Sequence, residues 1–241
     1  MELLERLKPL SFKVFPLERF DANSLEAYSE FLKPLRTLWF IFMAFSSAQK
    51  LHLVVPSKTP WTLAEVAGRL VEISGSTATA ALTLTFILVR EAQECGEPVG
   101  WVTSTESCFY PLDAAQNGMD LKSLVVIRLT NTEGIARAGE KLLRSGGFGI
   151  VVLDLGAADI PMPLQTRLTG LAHRHHTAVV CLTEKDRAAF SLGSLVSLRA
   201  HAEKKRAADN RFACTLRVLK DKRRGPTWHY EELYTGPAGL C

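Results

Sequence analysis

Cysteine is scarce in this sequence, and its spacing builds no recognisable site. There are five cysteines, an odd number with no C-x-x-C pair, which argues against a disulfide framework and a zinc centre. The most apolar run, LWFIFMAF at 38–45, is far shorter than the ~20 residues that a membrane span needs. The N-terminal residues MELLERLKPL include early acidic residues and no long apolar core, which is not typical of a secretory signal. The sequence thus predicts no metal, no membrane partner and a reducing, cytoplasmic compartment.

A strong charge excess is also absent. The chain has 29 Lys and Arg residues against 25 Asp and Glu residues, a formal net charge of +4 at pH 7. A dedicated DNA-binding domain carries a larger basic excess, so this charge only permits weak, non-specific contact with an anionic partner such as DNA. A hydrophobic content of 47% and a charged content of 22% are typical of a globular domain.

The third absence is that of phosphate-binding residues. The segment GRLVEISGSTATAALTLTFILV has the outline of a strand, a phosphate loop and a helix. A phosphate loop with the pattern G-x-x-x-x-G-K-[ST] that starts at Gly75 would have its second glycine at Ala80, its lysine at Ala81 and its hydroxyl at Leu82. None of these side chains can contact phosphate or magnesium. We interpret the loop as a degenerate nucleotide loop, and we expect no cofactor, no catalytic residue and no enzyme activity.

Other residues that suggest chemistry have simpler interpretations. Asp154 closes the apolar strand GIVVLDL, where a nucleotide-binding fold of this outline places a magnesium-supporting carboxylate; we interpret it as a strand-end carboxylate that caps a turn. Glu106 is a candidate base that has no phosphate or metal to act upon. HRHH at 173–176 is interpreted as an exposed helix end, because cationic side chains there complement the helix dipole.

Strand and helix patterns alternate along the core, which we place at 61–241 after an N-terminal extension at 1–60 with helices and a short strand. Strongly apolar strands such as IVVLDL favour a parallel sheet covered by helices on both faces. They lie at Leu70–Ser74, Val99–Ser104, Leu124–Leu129, Ile150–Asp154 and Ala178–Leu182. The predicted helices are Ala80–Glu94, Thr132–Arg144 and Leu164–His175.

After Ser194 the pattern changes to strands alone, at 194–203, 211–220 and 227–234. Short polar connections favour antiparallel hairpins at the end of the sheet. These connections contain two basic groups that we predict to bind DNA or an acidic partner, although solvated turns are the alternative: Lys204, Lys205 and Arg206, and Lys220, Lys222, Arg223 and Arg224. Their charges add if both groups lie at one end of the sheet.

Three blocks of the sequence together resemble the RecA recombinase core. They are GRLVEISG, NGMDLKSLVVIRLTNTEGIARAGEKLLRSGGFGIVVLDLGAADIP and LRVLKDKRRGPTWHYEELYTGPAG, within 68–239. The missing lysine, together with FYPLDAAQNGMDLKSLVVIRL, is similar to the ImuA branch, RecA-like proteins of bacterial mutasomes that accompany a Y-family-like protein and an error-prone polymerase. SulA-type division inhibitors show a more distant likeness.

The resemblance implies an α/β fold with a mainly parallel sheet flanked by helices, antiparallel strands at the C-terminal end and an N-terminal helical extension. It also implies a non-catalytic, nucleoid-associated interaction protein in DNA-damage tolerance. Its expected partners are RecA and the translesion polymerase proteins of the mutasome. A divergent ATPase of recombination and a SulA-type cell-division inhibitor are the alternatives.

The resemblance also assigns expected roles to particular segments. The DNA-binding loops of RecA follow the strands that end here at Asp154 and Leu182, but LGAADIPMP and TEKDRAAFSLG are shorter than a recombinase needs. Thr183 stands where the family couples nucleotide state to DNA.

A RecA-like subunit is held to its neighbour by an N-terminal helix and strand. In this chain MELLERLK and SFKVF are the candidate helix and edge strand. Phe12 and Val14 would project on one face of that strand and Phe15 on the other, as candidate partner-binding residues. Packing of this segment on its own domain is the alternative.

Overall fold

The computed structural model describes residues 61–75, 80–107, 109–208, 211–226 and 228–235. The N-terminal extension predicted at 1–60, with its candidate partner-binding residues Phe12, Val14 and Phe15, lies outside the described residues.

Eight strands and five α-helices occupy the described residues. The helices are α1 (Leu63–Val66), α2 (Ala81–Glu94), α3 (Pro111–Gln116), α4 (Ile135–Arg144) and α5 (Met162–His175), and a 3-10 turn at Thr132–Gly134 precedes α4. The strands are β1 (Leu70–Ser74), β2 (Val99–Ser104), β3 (Leu124–Leu129), β4 (Ile150–Gly156), β5 (Ala178–Thr183), β6 (Leu198–Arg206), β7 (Arg211–Asp221) and β8 (His229–Thr235).

All eight strands form one sheet in the order β3-β2-β4-β5-β1-β6-β7-β8. The pairs among β1 to β6 are parallel, so the carboxyl ends of these strands meet at one edge of the sheet, which we call the carboxyl edge. β7 and β8 add to β6 as two antiparallel hairpins. The turn between β7 and β8 therefore lies at the opposite, amino edge.

Each face of the sheet carries its own apolar core. β1 shows how the sequence builds both, because Val71 and Ile73 belong to one core and Leu70 to the other. The first core packs under α1, α2 and α3 on what we call face A, and the second packs under α4 and α5 on face B. This burial on both faces explains why the central strands are mainly apolar.

The structure confirms the predicted fold class, and the five predicted parallel strands appear within two residues of their expected ends. The sequence did not predict the short helices α1 and α3. β6 begins at Leu198, four residues later than expected, and continues to Arg206. Lys204, Lys205 and Arg206 are therefore strand residues rather than part of a connection, which corrects the sequence-based placement.

Among the described helices, none is long and apolar enough to cross a membrane. Within the same part of the chain, no group of three or more His, Cys, Asp and Glu residues is arranged to hold a metal ion. The HRHH segment ends α5, with His173 and His176 exposed, which confirms its interpretation as a helix end.

Candidate functional site

The candidate nucleotide site lies at the carboxyl edge, where β1 leads through Gly75 towards α2. The backbone N–H of Gly75 donates a hydrogen bond to the carbonyl oxygen of Thr183 at 3.0 Å, which ties the start of this loop to the end of β5. Because β1 and β5 are parallel neighbours, their ends lie side by side here. This is the edge at which open α/β sheets bind ligands.

The three residues that replace the phosphate-binding groups contribute to the core on face A. Ala80 is completely buried and Ala81 is 9% exposed, and both belong to the apolar cluster. Leu82 is half-buried and packs against the same cluster. Position 81, where a phosphate loop has its lysine, is thus enclosed by apolar groups that an ammonium group would have to displace.

Asp154, near the end of β4, accepts hydrogen bonds from two hydroxyl groups. Its Oδ2 accepts a hydrogen bond of 2.8 Å from Thr103 Oγ1 on β2 and a second one from Ser107 Oγ. Ser107 Oγ in turn accepts from the backbone N–H of Phe109 at 3.1 Å. Asp154 therefore fastens the turn after β2, in agreement with its interpretation as a strand-end cap. Glu106, in the same turn, is exposed.

A buried carboxylate that the sequence interpretation missed lies in the middle of β1. Glu72 is fully buried, and its Oε1 accepts a hydrogen bond from Thr183 Oγ1 at 3.3 Å. Its Oε2 accepts from Ser191 Oγ at 2.6 Å and from the backbone N–H of Leu192 at 3.0 Å. Arg199 Nε on β6 lies 3.9 Å from the same oxygen. Thr183 is thus bonded to a carboxylate of its own fold.

One signal for Glu72 is present in the sequence, because it is the only charged residue in the apolar strand LVEIS. A charge at a position that should be buried on both faces requires a partner. Its partners follow more than one hundred residues later along the chain, so the sequence alone does not identify them.

His201 on β6 lies next to the start of the candidate loop. Its Nδ1 is 3.3 Å from Ser74 Oγ at the end of β1. Burial lowers the pKa of His201, the positive charges of Arg187 and Arg199 lower it further, and nearby carboxylates oppose this shift. Burial and the two arginines outweigh the carboxylates, so the pKa of His201 is lowered and the imidazolium form is disfavoured at the carboxyl edge.

The two predicted basic groups lie at opposite ends of the β6–β7 hairpin. Arg206 pairs with Phe212 at the carboxyl end of β6, whereas Arg199, near the other end, pairs with Lys220. The condition under which their charges add is therefore not met. Lys204 and Lys205 are exposed, and Lys204 Nζ lies 4.3 Å from the centroid of the Phe212 ring.

The second basic group is partly used inside the fold. Lys220 Nζ lies 3.3 Å from the carbonyl oxygen of Ser194, and burial followed by the charge of Lys222 lowers the pKa of Lys220. Arg224 forms an ion pair with Glu65 of α1 and lies 5.9 Å from the ring of Trp228. Arg223 Nη1 lies 3.5 Å from the carbonyl oxygen of Glu65. These contacts stabilise the amino edge of the sheet.

A buried ion pair also lies at the amino edge of the sheet. Arg69 Nη2 lies 2.6 Å from Asp221 Oδ1, and both side chains are almost fully buried. Burial raises the pKa of Asp221, but hydrogen bonds from the Arg223 backbone, the Arg69 guanidinium and the Trp228 indole outweigh it and hold the pKa below its usual value. The KDKRR segment therefore contains a structural carboxylate between its cations.

Comparison with known proteins agrees with this geometry. Residues 64–179 match the family model of the RecA N-terminal domain. The chain is 33% identical over 125 residues to Protein RecA of Chloroherpeton thalassium, covering 47% of this chain and 35% of that protein. It is 31% identical over 125 residues to Protein RecA of Cytophaga hutchinsonii, again covering 47% of this chain and 35% of the relative.

A third relative, Protein RecA of Haemophilus ducreyi, is 30% identical over 128 residues, which cover 48% of this chain and 34% of that protein. The chain thus spans about a third of the length of the curated relatives it matches. The matched segment runs from α1 into β5 and includes the candidate loop and Asp154. These similarities and the mainly parallel sheet support a RecA-like core in this part of the chain.

Proposed function

We propose that this protein is a non-catalytic RecA-like interaction protein that acts in DNA-damage tolerance. In this proposal it is an accessory protein of a translesion-synthesis mutasome, of the ImuA type, and it binds RecA or the polymerase proteins of that assembly. DNA contact is weak and non-specific, through exposed cations such as Lys204 and Lys205. The protein works in the cytoplasm, in association with the nucleoid.

The observation that carries the proposal is the packing of Ala81 and Leu82 within a RecA-like core. A phosphate loop uses its lysine to contact the terminal phosphates and its hydroxyl to bind magnesium. Each charge-assisted contact contributes about 1.5 to 3 kcal/mol, so losing both removes about 3 to 6 kcal/mol from a micromolar affinity of about 8 kcal/mol. A RecA-like frame without these contacts retains surfaces that can bind other proteins.

A divergent ATPase is the second candidate, and one observation favours it. Asp154 and Glu106 keep the positions of a magnesium-supporting carboxylate and a water-activating base. The hydrogen bonds from Thr103 and Ser107 give Asp154 a structural role that needs no magnesium, which supports the non-catalytic proposal.

The proposal is tested by adding the full-length protein to a strand-exchange reaction driven by RecA. We expect substoichiometric protein to slow strand exchange and to shorten RecA filaments in electron micrographs, because a docked protomer without nucleotide contacts ends filament growth. Bovine serum albumin at the same concentration is the control for non-specific crowding. Unchanged exchange and filament length at an equimolar ratio would contradict an action on RecA and leave the polymerase proteins as partners.

A further inference from the structure

Phe190 is the most exposed large apolar side chain among the described residues. Its side chain lies in the loop between β5 and β6, and the residue is 93% exposed, compared with 54% for Tyr110 and 52% for Leu233. A single exposed apolar residue is common on protein surfaces and needs no explanation by itself. Phe190 differs from such a residue in how firmly its loop is held.

Both neighbours of Phe190 in the chain are bonded to buried charged side chains. The carbonyl oxygen of Ala189 accepts a hydrogen bond from Arg199 Nη1. Ser191 Oγ donates to Glu72 Oε2 at 2.6 Å. Glu72 is fully buried and Arg199 is 7% exposed, so these anchors belong to the interior of the sheet. The backbone that carries the phenyl ring is therefore fixed on both sides.

The next residues of the loop are fastened to α5. Gln165 Nε2 donates hydrogen bonds of 2.7 Å to the carbonyl oxygens of Leu192 and Ile160. A Cβ atom at Gly193 would lie only 2.3 Å from Gln165 Oε1, so a larger residue there would displace the amide group that holds the loop. A surface that is fixed before binding loses less conformational entropy when a partner docks.

The charges around Phe190 favour a protein partner over a nucleic acid. Residues 184–193, which we call the Phe190 loop, contain Glu184, Lys185, Asp186 and Arg187 and have a net charge of zero. Lys185 Nζ is already paired with Asp159 Oδ1 at 2.6 Å. Nucleic-acid binding draws most of its affinity from cations that neutralise phosphates, and this loop has no excess of them. A fixed aromatic side chain with a balanced polar rim is typical of a protein-binding anchor.

A second exposed apolar side chain lies on the segment to which the loop is fastened. Met162, the first residue of α5, is 50% exposed, and it precedes Gln165 by about one helical turn. Methionine adapts its shape to a partner surface. The two side chains thus belong to two segments that Gln165 and the Lys185–Asp159 pair join.

We infer that the Phe190 loop is a protein-docking surface, in which Phe190 enters an apolar pocket of the partner and Glu72 with Arg199 act as buried positioning residues. The inference rests on the proposed function, because it takes RecA as the partner whose pocket is probed. Within a RecA-like frame it assigns the segment after β5 to a protein rather than to DNA.

The test titrates fluorescein-labelled full-length protein with DNA-free RecA and, separately, with a single-stranded oligonucleotide. Phe190→Ala should weaken RecA binding at least tenfold, since aromatic anchors dominate such interfaces. Phe190→Leu should retain most of the affinity. Tyr110→Ala, which removes a well-exposed ring elsewhere, should change the affinity less than twofold. Circular dichroism of each variant checks that the fold is intact.

Each binding result that differs from these expectations leads to a different conclusion. RecA binding by the wild type that Phe190→Ala leaves unchanged would overturn the inference while the proposed function stands. Absence of RecA binding by the wild type would overturn the inference and leave the polymerase proteins as the partners in the proposed function. Oligonucleotide binding, or self-association in sedimentation, that Phe190→Ala abolishes would identify nucleic acid or a second copy as the occupant and overturn the inference.

Discussion

Two segments follow neighbouring strands at the carboxyl edge. They differ in whether their apolar side chains are buried or exposed. After β1, Ala81 is 9% exposed and Leu82 packs on the apolar core, at the positions where a phosphate loop has its charged and polar groups. After β5, the Phe190 loop holds a phenyl ring that is 93% exposed. The start of α2 thus contributes to the core, and the Phe190 loop displays an apolar group. In the proposed function, this difference corresponds to recognition of a protein surface instead of a nucleotide.

Glu72 connects the two loops. It lies on β1, the strand that leads into the first loop, but its hydrogen bonds go to Thr183, Ser191 and Leu192 at the end of β5 and in the second loop. A carboxylate in the centre of the sheet thus fixes the Phe190 loop. The fold thus supports the loop after β5 by buried hydrogen bonds, whereas positions 81 and 82 after β1 carry Ala and Leu in place of the lysine and the hydroxyl residue of a phosphate loop.

Glu72→Leu should have the largest effect on the support of the Phe190 loop. The change leaves the buried Arg199 without its ion-pair partner and removes the acceptor of three hydrogen bonds, so we expect a loss of about 3–5 kcal/mol in the free energy of unfolding. Urea denaturation followed by circular dichroism measures it. Hydrogen exchange should also accelerate at the amide of Leu192.

The matched control is Glu94→Gln on α2. Glu94 pairs with Arg90 at 3.4 Å, but both side chains are more than half exposed, so this change should cost less than about 0.5 kcal/mol. Similar losses for Glu72→Leu and Glu94→Gln would show that Glu72 does not support the loop.

A second variant, Asp154→Ala, separates the structural carboxylate from a catalytic one. Thr103 and Ser107 would lose their acceptor, and we expect a loss of about 1–2 kcal/mol in the free energy of unfolding with unchanged binding of RecA. Asp154→Asn keeps an acceptor oxygen and should lose less. Thermal unfolding with a parallel binding titration gives both readings. A variant that keeps its stability but loses partner binding would place Asp154 in a functional site.

The smallest expected effects concern the two basic groups, measured by fluorescence anisotropy with a DNA oligonucleotide from low to physiological salt. Wild-type protein should show a log–log salt slope of roughly −2 to −4, which corresponds to a few phosphate contacts. Replacing Lys204, Lys205 and Arg206 by glutamine should make the slope shallower by about 1–2. The control replaces Lys222, Arg223 and Arg224 and should change it less, because the two arginines already contact Glu65. An equal change in the salt slope for both groups would contradict the expectation that Lys204, Lys205 and Arg206 make more of the DNA contacts.

The sequence predicts the central strands well because one physical signal determines them. β1 and β2, which are buried along their whole length, appear with the predicted bounds, since apolar runs between turn residues require burial. The edge strand β3 also has its predicted bounds, although Val125 is exposed. β6 was misjudged because the polar run from Lys204 is typical of a turn. In the structure β6 continues through this run by pairing with β7, as Lys204 does with Cys214, and its outer side chains reach solvent.

The site was less predictable than the fold. The absence of phosphate ligands at Ala81 and Leu82 is a property of the sequence, and so is the position of Asp154 after an apolar strand. The support of Phe190 depends on contacts between Glu72, Ser191 and Arg199, which only the folded sheet brings together. Pairing across such sequence distances follows from topology and not from local pattern.

Calorimetric titration of the full-length protein with ATP and magnesium tests most directly whether the carboxyl edge has lost nucleotide binding. With RecA in the same buffer as the positive control, we expect no saturable heat up to about 1 mM ATP, a concentration at which an interaction of about 4 kcal/mol is detectable. A saturable, magnesium-dependent heat would contradict the account and favour the divergent ATPase.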